Sequence, residues 1–212
     1  MDILSYALGK KASGGGGGDE KRLPETYQEV EYIESTGTQY INTNYYCNSR
    51  TEFEIKLTYG GESGVVFGAY NNGGWSYGYG WYHNRNNGDN EWMHYYNNYN
   101  SNYKGSEDTT QIVNLNKGTI YINNQFVFMT APKSFLIDYP TYVLAGNWAG
   151  ERAEQPLVAK LYYFKIKENG CSVMEMIPCY RKADGVIGVY DILNQEFYTN
   201  AGTGEFLKGA DV

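Results

Sequence analysis

An all-β fold, a sandwich or jelly roll of two antiparallel sheets, is what this 212-residue sequence predicts. Three observations carry that expectation. About a dozen short apolar runs, rich in β-branched and aromatic residues, are separated by turn signals. Arg50 to Tyr59 (RTEFEIKLTY) alternates strictly, with Phe53, Ile55 and Leu57 facing one way and Glu52, Glu54, Lys56 and Thr58 the other; that is an antiparallel strand with one wet face. Tight-turn pairs, Lys117-Gly118, Asn123-Asn124 and Asp184-Gly185, fall between runs, where residues tolerant of positive φ are needed.

The elements follow in order. Residues 2 to 11 (DILSYALGKK) have the spacing of a short amphipathic helix, with Asp2 as cap and Lys10 and Lys11 at the negative end of its dipole. Ser13 and the run Gly14 to Gly18 then form a tether with no packing capacity. We therefore divide the chain into an anchor helix (1–12), a flexible linker (13–22) and one globular domain (23–209). A helix this short is marginal alone in water, so docking of Ile3, Leu4, Tyr6 and Leu8 into a larger particle is one reading and a tail without structure the other. Within the domain, strands are predicted over 28–35, 39–42, 50–59, 64–70, 110–115, 119–123, 125–129, 142–147, 158–167, 171–177, 186–190 and 196–198. The segment 148–156 reads as a loop, and Pro178 reads as a turn residue.

Residues 70–103 depart from this regularity. From Trp75 to His83 the odd positions are Trp75, Tyr77, Tyr79, Trp81 and His83, and the even ones are Gly74, Ser76, Gly78, Gly80 and Tyr82. Side chains alternate in a strand, so one face is an aromatic ladder and the other nearly bare. An Asn-rich turn over 83–90 leads to a second strand, 91–96, on which Trp92, His94 and Tyr96 share a face. The ladder has two readings. It is a sugar-binding surface, in which rings meet the C–H face of a sugar and nearby asparagines bond its hydroxyls. Or it is the sandwich core, with the glycine face wet. Trp92, His94 and Tyr96, close to the Asn-rich loops, are the more exposed in expectation. The candidate glycan contacts are Trp81, His83, Trp92, His94, Tyr96 and Trp148. The abundance of tyrosine also suits an oligomer interface.

Composition narrows the function. The chain holds 23 tyrosines and 26 glycines, and its net charge is -7. That balance argues against duplex nucleic-acid binding, which draws on Lys and Arg against phosphates, and against an anionic membrane surface. No apolar run approaches the ~20 residues that span a bilayer, and the N-terminus has the wrong charge order for a secretory signal, so folding in the cytoplasm of the producing cell is expected. Cys47, Cys171 and Cys179 form no disulfide framework, and two histidines cannot build a three-histidine metal site. No cofactor is expected. Asp89, Asn90 and Glu91 offer a weak calcium signal, outweighed by a turn-forming role. Glu29, Glu31 and Glu34 have the spacing of a carboxylate motif seen in glycan-cleaving sandwiches, but alternation puts Glu34 on the opposite face from the other two, and retaining hydrolysis needs its pair close together on one side. Glu52 and Glu54 read as the solvated face of their strand. No nucleophile elbow or phosphate loop is present.

The opening LPETYQEVEYIESTGTQYINT (23–43) and the closing AKLYYFKIKENG…MEMIPCYRKADGVIGVYDILNQEFYTNAGTGEFLKG (159–209) resemble a laminin-G-like, concanavalin-A-like jelly-roll domain of bacteriophage and prophage structural proteins from gut bacteria. The LSYALGKK start followed by glycines is similar to the start of such proteins. The resemblance implies a two-sheet sandwich on the virion surface, in a tail, fibre or head-decoration component, and no reaction. Its partners would be other virion proteins through the N-terminal helix, a bacterial-surface or mucus glycan, and further copies of the chain as a trimer. The alternatives are a purely structural decoration protein and, third, a glycan hydrolase.

Overall fold

The structure, a computed structural model, describes residues 22–60, 63–71, 77–86, 89–97, 99–104, 109–131 and 133–212, with side chains omitted at 84–86, 89–92 and 99–104. The predicted anchor helix, with Ile3, Leu4, Tyr6 and Leu8, and nearly all of the linker lie outside these residues. Every regular element described is a strand. In chain order they are β1 (Tyr27–Glu29), β2 (Ile33–Thr36), β3 (Ile41–Asn42), β4 (Thr51–Tyr59), β5 (Gly64–Tyr70), β6 (Gly78–Asn86), β7 (Asp89–Tyr96), β8 (Tyr99–Lys104), β9 (Thr110–Asn116), β10 (Thr119–Ile122), β11 (Gln125–Met129), β12 (Tyr142–Val143), β13 (Gly146–Trp148), β14 (Arg152–Glu154), β15 (Val158–Glu168), β16 (Cys171–Arg181), β17 (Ile187–Asp191), β18 (Glu196–Thr199) and β19 (Leu207–Lys208).

They form two sheets. The larger runs β11-β10-β9-β4-β15-β16-β17-β18, with β1 beside β16 and β2 between β15 and β19. The smaller runs β14-β13-β5-β6-β7-β8, with β12 joining β3 to β5. All ladders are antiparallel except β13 on β5. The sheets face each other across one apolar core. Phe53 of β4 lies 4.5 Å from Phe67 of β5 and 5.0 Å from Tyr79 of β6, ring centre to ring centre. On β4 the expected alternation holds throughout: Phe53, Ile55 and Leu57 are buried, and Glu52, Glu54 and Lys56 are half-buried on the outer side.

Among the described residues, three hairpins are two-residue turns with both central residues at positive φ: Lys117-Gly118, Asn123-Asn124 and Asn169-Gly170. This is the turn whose twist matches that of the strands it joins. Elsewhere the chain departs from expectation. The predicted 28–35 strand divides into β1, which pairs β16, and β2, which pairs β15. The predicted 142–147 strand breaks at Leu144, held at φ 65°, so that its halves meet opposite β5 in opposite senses. The 148–156 loop contains β14. Strands β6 and β7 run on to Asn86 and from Asp89, through most of the expected Asn-rich turn, and β8 extends their sheet. Pro178 is not a turn residue; it sits inside β16. Its carbonyl accepts from Val30 N, on the side where β15 has ended and β1 begins. Its missing N–H falls in that gap, so the proline costs no bond of the ladder to β17.

The glycine side of the ladder is not wet. Gly78, Gly68 and Gly146 form a bed for the ring of Tyr70: a Cβ on Gly78 would overlap it, and one on Gly146 would fall 2.7 Å from its Cε2. Tyr70 packs with Met93 and Tyr95 in a small second core, bordered by Tyr82 and Trp148. From Gly78 to His83, both faces of β6 are therefore covered. On the inner face, the hydroxyl of Tyr79 donates to the carbonyl of Thr51 at 2.7 Å, and that of Tyr96 to Ser49 at 2.8 Å. These bonds tie the smaller sheet to the start of β4. Tyr79→Phe leaves the buried Thr51 carbonyl without this donor, and a loss of about 1 kcal/mol is expected in urea unfolding.

Candidate functional site

The structure places most of the sequence-predicted glycan contacts inside the protein. Trp81 and His83 project from β6, and His94 and Tyr96 from β7, into the space between the sheets; all four are buried. The exposure expected of His94 and Tyr96 is thereby corrected. Alternation put these side chains on one face, and that face is the one the larger sheet covers. His83 meets the hydroxyl of Tyr59, and His94 Nε2 lies 3.1 Å from Thr130 Oγ1. Burial pushes the His94 imidazole down to about 4, so it is neutral at physiological pH. Of the ladder itself, Tyr79 is core and Tyr77 is 54 % exposed, while Trp75 lies outside the described residues. Trp92 pairs with His83 across the β6–β7 ladder, but its side chain lies outside the described set. Among the described side chains of the six, Trp148 alone reaches the surface. It is half-buried on the outer side of the smaller sheet, and the Arg152 guanidinium lies 5.2 Å from its ring centre.

The larger sheet presents a better site on its outer face. An open cleft of about 400 Å³ is lined by Glu52, Glu54, Asn114, Asn116, Tyr121, Asn124 and Lys167. Register explains the gathering. Lys165, Glu54, Asn114, Tyr121 and Phe126 stand directly opposite one another across β15, β4, β9, β10 and β11. Lys167, Glu52, Asn116 and Thr119 make the next row. The rows cross the strands, so residues far apart in sequence become neighbours. One end of the cleft is charged and the other carries Tyr121, with Phe126 next to it beyond the lining residues. The rings of Tyr121 and Phe126 lie 6.1 Å apart, nearly edge to face, and Phe126 is 62 % exposed.

The carboxylates of the charged end are both partnered. Glu52 accepts from Gly170 N at 3.1 Å and faces Lys117 Nζ at 3.5 Å; both partners belong to the tight turns described above. Glu54 faces Lys167 Nζ at 3.5 Å. It also bonds the Tyr163 hydroxyl, whose pKa is pushed up first by burial and then by this carboxylate. The cleft thus offers partnered carboxylate acceptors, amides that both donate and accept, and an aromatic platform. Reading the sequence in isolation placed Glu52 and Glu54 on a wet face but missed Asn114, Asn116 and Tyr121, whose only local signal is their alternation with Val113, Leu115, Ile120 and Ile122, and read Asn124 only as a turn residue.

The other carboxylate cluster does not assemble. Glu29 ends β1 and is ion-paired with Arg22, Glu31 is exposed between strands, and Glu34 lies on β2 opposite Lys160. The side chains of Asp89, Asn90 and Glu91, the weak calcium signal, lie outside the described residues. Among those described, no group of three His, Cys, Asp or Glu side chains is gathered as a metal site would require. Cys47 and Cys179 are buried thiols pushed up to about 12 by desolvation; Cys171 is exposed on a hairpin. No family model, curated protein or solved structure matches this chain.

Proposed function

We propose that the chain is a non-enzymatic structural protein of a phage virion, in a tail, fibre or head decoration. Its sandwich is a concanavalin-A-like, laminin-G-like jelly roll that binds host-surface or mucus glycans, and residues 1–12 anchor it to the particle. The observation that carries the glycan reading is the transverse cleft, in which carboxylates, asparagines and Tyr121 converge on one open groove, with the Phe126 ring beside that of Tyr121. Aromatic floors with a few placed polar groups are how proteins hold hydroxyl-rich ligands. The binding face moves from the aromatic ladder to the outer side of the larger sheet. Glu52 and Glu54 each face an ammonium at 3.5 Å, an arrangement suited to accepting hydroxyl hydrogen bonds.

A glycan array probed with the full chain tests this. Binding to one or more glycans is expected, with signal reduced at least tenfold for Tyr121→Ala; a chain that recognises no glycan contradicts it. The exposed Phe126 and Met129 of edge strand β11 favour a second reading, assembly alone. Under that reading Met129→Lys would weaken self-association or incorporation into particles while the array stayed blank. The anchor is tested separately: the chain lacking residues 1–18 is expected to remain folded and to be absent from purified particles, and its incorporation would refute the anchor.

A further inference from the structure

Resting on the glycan reading, we infer that the cleft takes a neutral oligosaccharide laid across the strands, and rejects glycans that carry carboxylates or sulfates. The groove contains two carboxylates, Glu52 and Glu54. Three lysines around it are already ion-paired, Lys117 with Glu52, Lys167 with Glu54, and Lys165 with Glu175 at 3.0 Å, and Lys56, next along the same face of β4, lies over the Tyr162 ring at 5.2 Å. An anionic sugar entering here meets two like charges, and competes with them for each ammonium. A hydroxyl, by contrast, donates to either carboxylate with both pairs intact. The row from Lys165 to Phe126 spans five strands, or ~19 Å at the usual inter-strand spacing, so its charged and aromatic ends are both reached by a chain of sugars and not by one ring. The C–H faces of such a chain would stack on Tyr121 and Phe126.

The test is titration of the full chain with a panel of neutral hexose and N-acetylhexosamine tetramers, their monosaccharides, and tetramers of galacturonic acid. The best neutral tetramer is expected to bind at least tenfold more tightly than its monosaccharide and than the acidic tetramer. Glu54→Gln should weaken neutral binding about tenfold, the loss of one charge-assisted hydrogen bond, and narrow the gap to the acidic tetramer. Phe126→Ala, at an exposed position that leaves folding intact, should weaken the tetramer and leave the monosaccharide unchanged. Equal or tighter binding of the acidic tetramer, or a monosaccharide as strong as the tetramer, overturns this inference alone. Silence from the whole panel removes the glycan reading beneath it as well.

Discussion

Gly80→Ala is expected to destabilise the protein by about 3 kcal/mol, the upper range for forcing an extra carbon into a packed interior. Alanine is ordinarily the better residue in a strand, by roughly 0.5–1 kcal/mol over glycine, so a loss here would come from packing. A Cβ at Gly80 falls 2.5 Å from the carbonyl oxygen of Phe67 and 2.8 Å from Cα of Gly68. Both are backbone atoms of β5, which pairs Gly68 with Gly80 directly. They yield only if the β5–β6 ladder shifts, and β5 also pairs β12 and β13. Gly60→Ala is the control: its added carbon meets the Val158 side chain at 3.2 Å, which can rotate, and a change under about 1 kcal/mol is expected. Urea midpoints at pH 7 decide the matter. Equal midpoints for the two variants would mean that β5 and β6 are not in the close register described.

Acid is expected to weaken the fold well before its carboxylates protonate. His94 is neutral in the folded protein down to about pH 4, whereas in the unfolded chain it titrates near ~6.5. Between these values the unfolded state binds a proton that the folded state refuses. Stability from this residue is therefore complete above pH ~6.5 and falls as the pH drops, by ~1.4 kcal/mol per unit, to a total of about 3 kcal/mol near pH 4. The cause is geometric: the imidazole sits between the sheets, 2 % exposed, with Thr130 on one nitrogen and the Phe128 ring 5.9 Å away. Carboxylates whose charged form is favoured in the fold, such as Glu168 beside Asn48, lose their contribution only at lower pH. His94→Gln, which does not titrate, should flatten the fall between pH 6.5 and 4.5. An unchanged slope in that variant would place the histidine in water.

Much of the scaffold could be read from local chemistry. The alternation in β4 announced its inner and outer faces, and Lys117-Gly118 and Asn123-Asn124 announced hairpins, because period and positive φ are properties of neighbouring residues. What failed was nonlocal. The ladder from Tyr79 to His83 told which side chains share a face but not which face is covered, and here both are: one by the larger sheet, the other by Tyr70 lying on glycines. The glycines looked bare because the ring that fills them comes from another strand. Pro178 read as a turn because a proline in a central strand loses a ladder bond, unless its N–H falls where one neighbour ends and the next begins, as it does here. The cleft was invisible for the same reason. Glu54, Asn114, Tyr121 and Phe126 are brought into one row by register between strands, which no local pattern contains.

The location of the binding face is the claim on which the functional account turns. It is tested most directly by titrating one bound neutral tetramer into Tyr121→Ala, Glu54→Gln and Trp148→Ala side by side. The cleft predicts at least tenfold weaker binding for the first two and an unchanged constant for Trp148→Ala. Loss of binding in Trp148→Ala, with Tyr121→Ala and Glu54→Gln intact, would place the ligand on the smaller sheet and contradict the account.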